Sequence, residues 1–552
     1  MNRKIVFVLF CTIVSNCIAA QKQLKEQLDE LLKVYDNSNA PGLSVKVIKA
    51  QDELYSNSFG LANLDYSIKN SDSTIFSLAS IGKQFTASAI WALINESKIA
   101  LEDDIRTYLP EFPKYKKPIK IKHLLNHTSG IRNYHTLMQL SGFDYHITYY
   151  DNLTVLELAC KQKGLNNVPG DKVTYSNTNY NLLALIVERV SGHNLNDYIY
   201  NNILKPLKMN YTFVRVSHGK TIKNKAIGYQ KRNGEFVYNV TNQLSYGAGN
   251  MGSSIKDMGI WMQMLNGQIS EFIGLAKFLK TTEVFNNGTK ANYARGIMVD
   301  TYKGYNTASH GGFGFGGRSK LIALPELKLG IIVLSNLQSI NASSIAYQIL
   351  DKVLESYPKK LKIEAVTESF KPQDLNMFIG EYKEINSDMT MTIFVENDTL
   401  KSLGSLGNTA TPLEQFAKNK FHRIQSQNVK YDFTRSAKHD LSISFAGTPF
   451  YFKHAEFVDA EPIVLSDFAG IFYSEELDAT YHLSIENDSL QLSYKNNEAI
   501  KLKPIQCDEF GNGQRTLYHF VRNDKGAISE MLLSCEGTIK DIIFKKKDET
   551  IN

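Results

Sequence analysis

The chain has 552 residues, of which 43 % are hydrophobic, and a formal net charge of +6 at neutral pH. This length and apolar content suffice for a large buried core and predict two to four domains, which excludes an intrinsically disordered protein. Acidic and basic residues are interspersed, which argues against nucleic-acid binding and against a polybasic membrane-binding surface.

The N-terminal segment has the layout of a secretory signal peptide. Met1-Asn2-Arg3-Lys4 is basic, residues 5–18 are mostly apolar, and Ala19-Ala20-Gln21 offers small residues for cleavage. A retained membrane anchor is the alternative, but the apolar run is shorter than the roughly 20 residues of a membrane-spanning helix. A lipoprotein site at Cys17 is disfavoured because a bulky asparagine precedes it. We expect loss of residues 1–20, no membrane span afterwards, and a periplasmic or secreted protein.

Ser80-Ile81-Gly82-Lys83 places a hydroxyl and an amine one helical turn apart. If the chain from Ser80 to about Ile94 is a helix, the two side chains share a face and the amine can reach Ser80 Oγ. A desolvated lysine can deprotonate the serine, and a serine at a helix N-terminus has an uncommitted backbone N–H for an oxyanion. The spacing recurs at Ser217…Lys220 and Ser253…Lys256, so its meaning depends on partners elsewhere in the chain.

Residues 21–360 alternate helical and strand-like stretches and predict one mixed domain. The predicted elements are a helix that opens on a capping box of Thr154 and Glu157 and ends near Gly164, a helix from Tyr180 to Val190 that Ser191-Gly192 ends, and a β-hairpin of Leu321–Leu324 and Leu329–Leu334.

Tyr175-Ser176-Asn177 lies in a predicted loop before the second of these helices. A tyrosine there can relay a proton to a leaving group if a neighbouring cation lowers its pKa, and the asparagine amide can bind a substrate carbonyl. A loop tyrosine capped by its neighbours is the alternative, because the same spacing recurs three times elsewhere.

His310-Gly311-Gly312-Phe313-Gly314-Phe315-Gly316-Gly317-Arg318 precedes the predicted hairpin. Glycines there let another backbone approach closely. A phosphate-binding loop is an alternative, but no helix follows to supply the N-terminus that such a loop needs. A flexible lead into the hairpin would explain the glycines but not the histidine.

Three cysteines remain after loss of the signal segment. Cys507 and Cys535 could pair in an oxidising compartment, whereas Cys160 is expected to be a buried apolar residue. No Cys or His cluster has zinc spacing. The sequence therefore predicts neither a metal nor a cofactor.

After a lysine-containing stretch at residues 359–371, the chain consists of short alternating strands and repeats itself. Three segments return in order at nearly one offset: Phe378-Ile379-Gly380 as Phe468-Ala469-Gly470, Glu396–Leu400 as Glu486–Leu490, and Tyr431…Arg435 as Tyr518…Arg522. This duplication predicts two homologous modules, residues 373–460 and 461–552, each a small antiparallel β-barrel.

Ser80…Lys83, Tyr175…Asn177 and His310-Gly311-Gly312, in this order, resemble the motifs of the penicillin-recognising serine hydrolases. This group contains class C β-lactamases, D-alanyl-D-alanine carboxypeptidases, D-aminopeptidases and related esterases. Sequence segments similar to those of this family also occur at Phe76–Ala79, Leu124–Ile131 and Gly247–Ser253. The resemblance covers about residues 30–350 and implies an α+β catalytic domain, an antiparallel sheet flanked by helices with an all-helical region. Two lipocalin-like barrels, similar to those of D-aminopeptidases, would follow it.

The resemblance also implies the role of each motif residue. Ser80 would be the acylated nucleophile, Lys83 would assist its deprotonation, and Tyr175 would pass the proton to the leaving group. Asn177, His310 and Gly312 would bind the substrate, and the backbone N–H groups of Ser80 and Phe313 would form the oxyanion hole. His310 replaces the lysine of many relatives. A histidine with a pKa near 6.5 is only partly charged, which weakens carboxylate or β-lactam recognition.

We therefore expect an exported serine hydrolase that acts on small amide or ester substrates such as D-amino-acid peptides. A carboxylesterase, and then a β-lactamase, are the alternatives among enzymes. A non-catalytic protein that binds peptidoglycan fragments is an alternative of another class, which the intact motifs disfavour. The expected partner is a small molecule or short peptide, and the sequence leaves the oligomeric state open.

Overall fold

The computed structural model describes residues 21–358, 373–455 and 463–547, apart from 406, 408, 425, 438, 446–447 and 496. The expected signal segment and the lysine-containing stretch lie outside the described residues. The described chain forms two compact units, one of residues 21–99, 183–281 and 294–358, the other of residues 100–182, 282–293 and 373–547. Helices and strands are numbered in chain order.

An antiparallel six-stranded sheet with the order β10-β11-β12-β13-β1-β2 forms the centre of the first unit. Its strands are β1 (Leu43–Lys49), β2 (Asp52–Phe59), β10 (Met298–Tyr302), β11 (Tyr305–Gly314), β12 (Gly317–Leu324) and β13 (Leu329–Ser335). Short sheets are formed by β3 (Leu61–Asn63) with β4 (Ile68–Lys69), by β5 (Phe76–Ser77), β9 (Met251–Ser253) and β6 (Phe213–Val214), and by β7 (Tyr229–Arg232) with β8 (Glu235–Tyr238). Strands β12 and β13 confirm the predicted hairpin.

Helices cover both faces of this sheet. The helices of this unit are α1 (described over residues 21–32), α2 (Lys83–Asn95), α6 (Asn177–Ser191, whose first turns belong to the second unit), α7 (Leu195–Ile199), α8 (Ile255–Leu265), α9 (Ile273–Lys280) and α10 (Ala342–Leu354). Val45 and Val47 share one buried cluster with residues of α1 and α10, whereas Lys46 between them lies against Gly259 of α8. Because side chains alternate along a strand, α1 and α10 pack on one face of the sheet and α8 packs on the other. None of the helices described has the length and hydropathy that a membrane span requires.

The second unit contains α3 (Ile121–Leu125), α4 (Tyr134–Leu140) and α5 (Asn152–Cys160). The predicted capping box was wrong by one turn, because the Asp151 carboxylate accepts the Thr154 backbone N–H at 3.0 Å and starts α5 three residues earlier. An aspartate carboxylate serves well as an N-cap acceptor. Helix α6 contains the predicted 180–190 helix, and Gly192 with φ of 74° follows its end as predicted.

The two C-terminal modules are closed eight-stranded antiparallel barrels, as predicted. The first consists of β14 (Gly380–Glu384), β15 (Thr390–Glu396), β16 (Thr399–Gly404), β17 (Thr411–Ala417), β18 (Lys420–Arg423), β19 (Ser426–Asp432), β20 (Leu441–Phe445) and β21 (Thr448–His454). The second consists of β22 (Gly470–Ser474), β23 (Ala479–Glu486), β24 (Ser489–Ser493), β25 (Ile500–Gln506), β26 (Glu509–Gly511), β27 (Thr516–Arg522), β28 (Ile528–Cys535) and β29 (Ile539–Lys547).

The repeated segments occupy equivalent places in the two barrels. Phe378 lies 4.8 Å from the Phe433 ring, and Phe468 lies 5.0 Å from the Phe520 ring, so each barrel contains the same buried aromatic pair. The repeated Asn-Asp pairs both form hairpin turns with φ between 47° and 53° at the two central residues, the left-handed geometry that two-residue hairpins favour. The duplication is therefore structural as well as sequential.

The pairing of Cys507 with Cys535, which the sequence left open, is not formed, since both thiols are free. Cys535 is buried in β28, and burial raises the pKa of its thiol to about 12. Cys507 is exposed in the turn after β25. Cys160 is partly exposed rather than buried, with Sγ 3.5 Å from the Glu111 carbonyl oxygen.

Strand β23 allows a test of barrel packing, because Leu483 is 4 % exposed and Ile485, two residues on, is 43 % exposed. Leu483→Ala should lower the free energy of unfolding by about 2–5 kcal/mol through the lost burial and the cavity. Ile485→Ala, the matched control, should cost less than about 1 kcal/mol. Urea denaturation followed by circular dichroism measures both. Equal losses would contradict the burial of Leu483 in the barrel core.

Candidate active site

Ser80 lies in a 3-10 turn, Ala79–Gly82, that continues directly into α2. The predicted helix is therefore present, but its first turn is tighter than an α-helix. Ala79 has φ of 46°, a left-handed conformation that costs a non-glycine residue roughly 1–2 kcal/mol. This bend presents Ser80, which is partly exposed, while Lys83 one turn later is completely buried.

The Lys83 amine makes the contact that the spacing predicted. Its Nζ lies 3.1 Å from Ser80 Oγ and 2.7 Å from the carbonyl oxygen of Ala248. Burial lowers the pKa of Lys83 well below its ordinary value of 10.5, because the charged form loses its hydration. The neutral amine can donate one N–H to Ala248 and accept the Ser80 proton on its lone pair.

The segment Gly247–Ser253 fixes the other side of α2. Thr86 Oγ1 donates to the Gly247 carbonyl oxygen at 2.8 Å, one turn beyond the Lys83 contact with Ala248. A Cβ on Gly249 would lie 3.4 Å from the Ala79 carbonyl oxygen, so a side chain there would crowd the turn that contains Ser80. The sequence pattern predicted no role for this segment. Its glycines, Gly247 and Gly249, were the only sequence signal that it approaches the turn containing Ser80.

Strand β11 passes beside the turn that contains Ser80 and includes His310, Gly312 and Phe313. A Cβ on Gly312 would lie 2.4 Å from the Leu78 carbonyl oxygen and 2.1 Å from Ser319 Oγ, which excludes any side chain. Ser319 Oγ also donates to the Leu78 oxygen at 2.8 Å. The glycine-rich stretch is therefore mainly a strand that approaches another backbone, rather than a flexible lead into a hairpin.

His310 is buried at 6 % exposure, and its Nδ1 donates to the Gly311 carbonyl oxygen at 2.6 Å. Burial, together with the positive charge of protonated Lys83, lowers the pKa of His310 to about 3. The expected partial charge is therefore wrong, and the imidazole is neutral near pH 7. A neutral ring cannot replace the permanent cation of a lysine at this position.

Tyr175 and Asn177 belong to the second unit, where Asn177 is the first residue of α6. Two hydroxyls that flank Asn177 donate to one acceptor, the Arg132 carbonyl oxygen, from Ser176 Oγ at 3.2 Å and Thr178 Oγ1 at 2.8 Å. The predicted loop is thus fastened to the segment that begins at Arg132.

The ring of His127 packs against the ring of Tyr175. Its buried ring lies 4.3 Å from the Tyr175 ring, and its Nδ1 accepts N–H bonds from the Asn179 side chain at 3.0 Å and the Ser176 backbone at 3.4 Å. Its backbone carbonyl accepts the Thr174 N–H at 2.8 Å. Sequence reasoning quoted His127 within Leu124–Ile131 but missed this role, because its φ of 58° and its contacts are invisible in the sequence.

The first unit thus brings together Ser80, Lys83, His310, Gly312 and Phe313, and the second unit brings Tyr175 and Asn177 together with His127. Within the described part of the chain, no group of three or more His, Cys, Asp or Glu side chains could hold a metal ion.

Comparison with models of known protein families shows to which family the chain belongs. The profile of the Beta-lactamase family matches residues 22–353, which is more than half of the sequence. The chain belongs to the beta-lactamase family. Two C-terminal barrels follow its beta-lactamase domain.

Curated relatives of this beta-lactamase family member include Protein flp of Staphylococcus aureus strain N315, 28 % identical over 326 residues, or 57 % of this chain. The match covers 64 % of that protein, which is less than two thirds of its length. D-aminopeptidase of Brucella anthropi is 22 % identical over 515 residues, which cover 90 % of this chain and 94 % of the relative. The second relative therefore extends over the barrels.

Solved structures share the fold. The octameric penicillin-binding protein homologue from Pyrococcus abyssi has a TM-score of 0.54 and 22 % identity, and covers 86 % of this chain and 99 % of its own. EstCE1, a hydrolase with promiscuous acyltransferase activity, has a TM-score of 0.51 and 18 % identity, and covers 61 % of this chain and 98 % of its own.

Gly312 and Gly311 form a matched pair for testing the approach of β11 to the turn that contains Ser80. Gly312→Ala should lower the free energy of unfolding by about 1–3 kcal/mol because of overpacking. Gly311→Ala should cost less, since its Cβ would meet atoms only at 3.7 Å and beyond. Urea denaturation measures the free energy of unfolding of both variants. A Gly312→Ala protein as stable as Gly311→Ala would contradict the close approach.

His310 should make stability depend on pH. The unfolded imidazole titrates near 6.5, whereas the folded pKa is about 3, so the unfolded state binds more protons between these values. Acidification from pH 6.5 should therefore destabilise the folded chain by up to about 1.4 kcal/mol per pH unit. His310→Asn should flatten this slope, and the exposed His193→Asn should not. Urea denaturation from pH 7 to pH 4 measures it, and an unchanged slope in His310→Asn would refute the neutral buried ring.

Proposed function

We propose that this chain is an exported serine hydrolase that forms an acyl-enzyme on Ser80 and hydrolyses small amide or ester substrates. The observation that carries the proposal is the completely buried Lys83 amine, 3.1 Å from Ser80 Oγ, with a pKa well below its ordinary value. A buried lysine beside a serine at the start of a helix has the properties of a base that activates a nucleophile. Export is supported by the signal-like residues 1–20.

In the acylation step, the Ser80 hydroxyl proton moves to Lys83 Nζ while Oγ forms a bond to the substrate carbonyl carbon. The carbonyl π electrons move to oxygen, where the backbone N–H groups of Ser80 and Phe313 stabilise the negative charge. The bond to the leaving amine or alcohol then breaks, and Tyr175 supplies the proton that the leaving group takes. Asn177 holds the substrate amide during these steps.

In the deacylation step, water attacks the acyl carbon and gives up a proton, and the Ser80 oxygen leaves and regains one. Lys83 and Tyr175 carry these protons, so both groups return to their starting state. Because the same pair acts in both half-reactions, loss of either should slow the whole cycle.

The neutral His310 favours substrates without a carboxylate at this position, since no permanent cation stands there to bind one. D-amino-acid amides and small esters meet this condition better than penicillins do. Alignment with a D-aminopeptidase over 90 % of the chain supports the first of these classes. A carboxylesterase is the second candidate, for the same electrostatic reason.

Substitutions in the catalytic group should separate its members. Lys83→Arg should lower kcat/KM at least about a hundredfold, because a guanidinium does not lose its proton at neutral pH and cannot act as a base. Tyr175→Phe should cause a loss of similar size. Ser80→Ala should show neither turnover nor the mass shift that a fluorophosphonate probe gives the wild-type protein. Near-normal rates in Lys83→Arg and Tyr175→Phe would contradict the assigned roles, and a labelled, active Ser80→Ala would refute the nucleophile.

A panel of substrates on one preparation tests the substrate class. D-alanine p-nitroanilide and p-nitrophenyl acyl esters should be hydrolysed with higher kcat/KM than nitrocefin, because only the β-lactam depends on a cation for its carboxylate. Ser80→Ala serves as the background control in each assay. A preference for nitrocefin would contradict the argument from His310. Ligand binding without product from any substrate would favour the non-catalytic alternative.

A further inference from the structure

An ion pair between Arg132 and Glu476 is buried in the second unit. Nη1 of Arg132 lies 2.5 Å from Oε2 of Glu476, both side chains are 3 % exposed, and the two residues are 344 positions apart in the sequence. A buried pair needs further hydrogen bonds to offset the lost hydration, and removal of one partner leaves an uncompensated charge. This pair joins the helical segment to the second barrel.

The barrel surrounds the guanidinium of Arg132 with acceptors. Glu476 lies in the turn between β22 and β23, and its Oε2 also accepts the Lys163 backbone N–H at 2.7 Å. Nη2 of Arg132 donates to the Lys540 carbonyl oxygen of β29 at 2.6 Å, and Nη1 donates to Gln162 Oε1 at 3.0 Å. Strands β22 and β29 are neighbours in the closed barrel, so the arginine is held at a rigid place.

The backbone of the same residue holds the Tyr175–Asn177 segment. The Arg132 carbonyl oxygen is the common acceptor of the Ser176 and Thr178 hydroxyls, and Asn133 Oδ1 accepts the Asn177 backbone N–H at 3.1 Å. A displacement of Arg132 would therefore move three hydrogen bonds on or beside Asn177 together. The side chain of Arg132 therefore contacts the second barrel, and its backbone carbonyl oxygen holds the Tyr175–Asn177 segment.

The duplication provides an internal comparison. Glu476 occupies the turn after the first strand of the second barrel, and Asn386 occupies the equivalent turn of the first barrel, six residues after Gly380 as Glu476 is after Gly470. A neutral side chain at that place could not compensate a buried guanidinium. The charged residue is thus a property of the barrel that contacts Arg132 and not of the repeat.

We propose that the second barrel positions the Tyr175–Asn177 segment for catalysis through the buried Arg132–Glu476 ion pair. Glu476 is a positioning residue that acts through Arg132 and touches no substrate. The inference rests on the proposed function, because it assigns the barrel a part in that same acyl-transfer site.

Glu476→Gln tests the proposal, with Glu475→Gln as the matched control. Glu475 is the adjacent residue, and its ion pair with Lys163 is exposed, with side chains at 62 % and 60 %. Glu476→Gln should lower kcat about tenfold to a hundredfold with little change in KM, since a small misplacement of a proton donor has effects of this size. Glu475→Gln should keep the wild-type kcat. Wild-type kcat in Glu476→Gln, or equal losses in both variants, would overturn the proposal.

A double-mutant cycle separates positioning from general damage. If Glu476 positions Tyr175 as part of this segment, then Glu476→Gln should cause a clearly smaller further loss in a Tyr175→Phe background than in wild type, because one of the groups that it positions is already absent. Independent multiplication of the two losses would overturn the proposal. The mass shift of Ser80 with a fluorophosphonate probe shows that each variant retains a reactive nucleophile.

Hydrogen exchange gives a readout that does not need activity. Amides of residues 174–180 should exchange on the order of tenfold faster in Glu476→Gln than in wild type or in Glu475→Gln. If the wild-type protein neither hydrolyses substrate nor labels, the proposed function fails, and the exchange still decides whether the pair positions the loop. If Glu476→Gln does not fold, Gln162→Met takes its place in the experiment. It removes one hydrogen bond to Arg132 without leaving an unpaired charge, and should speed the exchange of residues 174–180 to a smaller extent. Unchanged exchange in the folded variants would overturn the proposal.

Discussion

The burial of the Lys83 amine is the constraint on which the rest of the first unit depends. An ammonium group taken from water is costly, so the buried amine favours its neutral form. One hydrogen bond to the Ala248 carbonyl oxygen orients it toward Ser80. Other chain segments approach the turn that contains Ser80 closely, and this explains why glycines stand at positions 249 and 312. The catalytic proposal is thus a consequence of packing.

The electrostatics of His310 follow from the same burial. Protonated Lys83 lowers the pKa of the imidazole, and by reciprocity a charged imidazole would disfavour the ammonium of Lys83. Protonation of either base therefore disfavours protonation of the other, and burial disfavours the charged form of both. A lysine at position 310 would be a second long cation near Lys83, and its charge would also have to be offset. Histidine relieves this conflict but leaves position 310 itself without a fixed positive charge for a carboxylate.

The sequence predicts those features that depend on neighbours along the chain. The Ser80 to Lys83 contact follows from helical spacing, and the β12–β13 hairpin and both barrels follow from alternation and repetition. The start of α5 was misjudged because Asp151 competes with Thr154 as a cap, a choice of geometry rather than of residue type. The contacts of Lys83 with Ala248 and of Arg132 with Glu476 join positions 165 and 344 residues apart. No local pattern encodes contacts of that range.

The second barrel is integrated with the helical segment of its unit. Leu137 and Leu140 of α4 belong to the same buried cluster as the barrel core, and the Tyr481 hydroxyl inside the barrel donates to the Leu140 carbonyl oxygen at 2.7 Å. The first barrel instead contacts the second, through Arg515 and Glu384 at 3.3 Å. Duplication therefore gave one copy whose core is completed by a helix near the Tyr175 segment and one copy that packs on its twin. Since a core shared in this way resists independent motion, the charge at Glu476 has a fixed frame against which to hold Arg132.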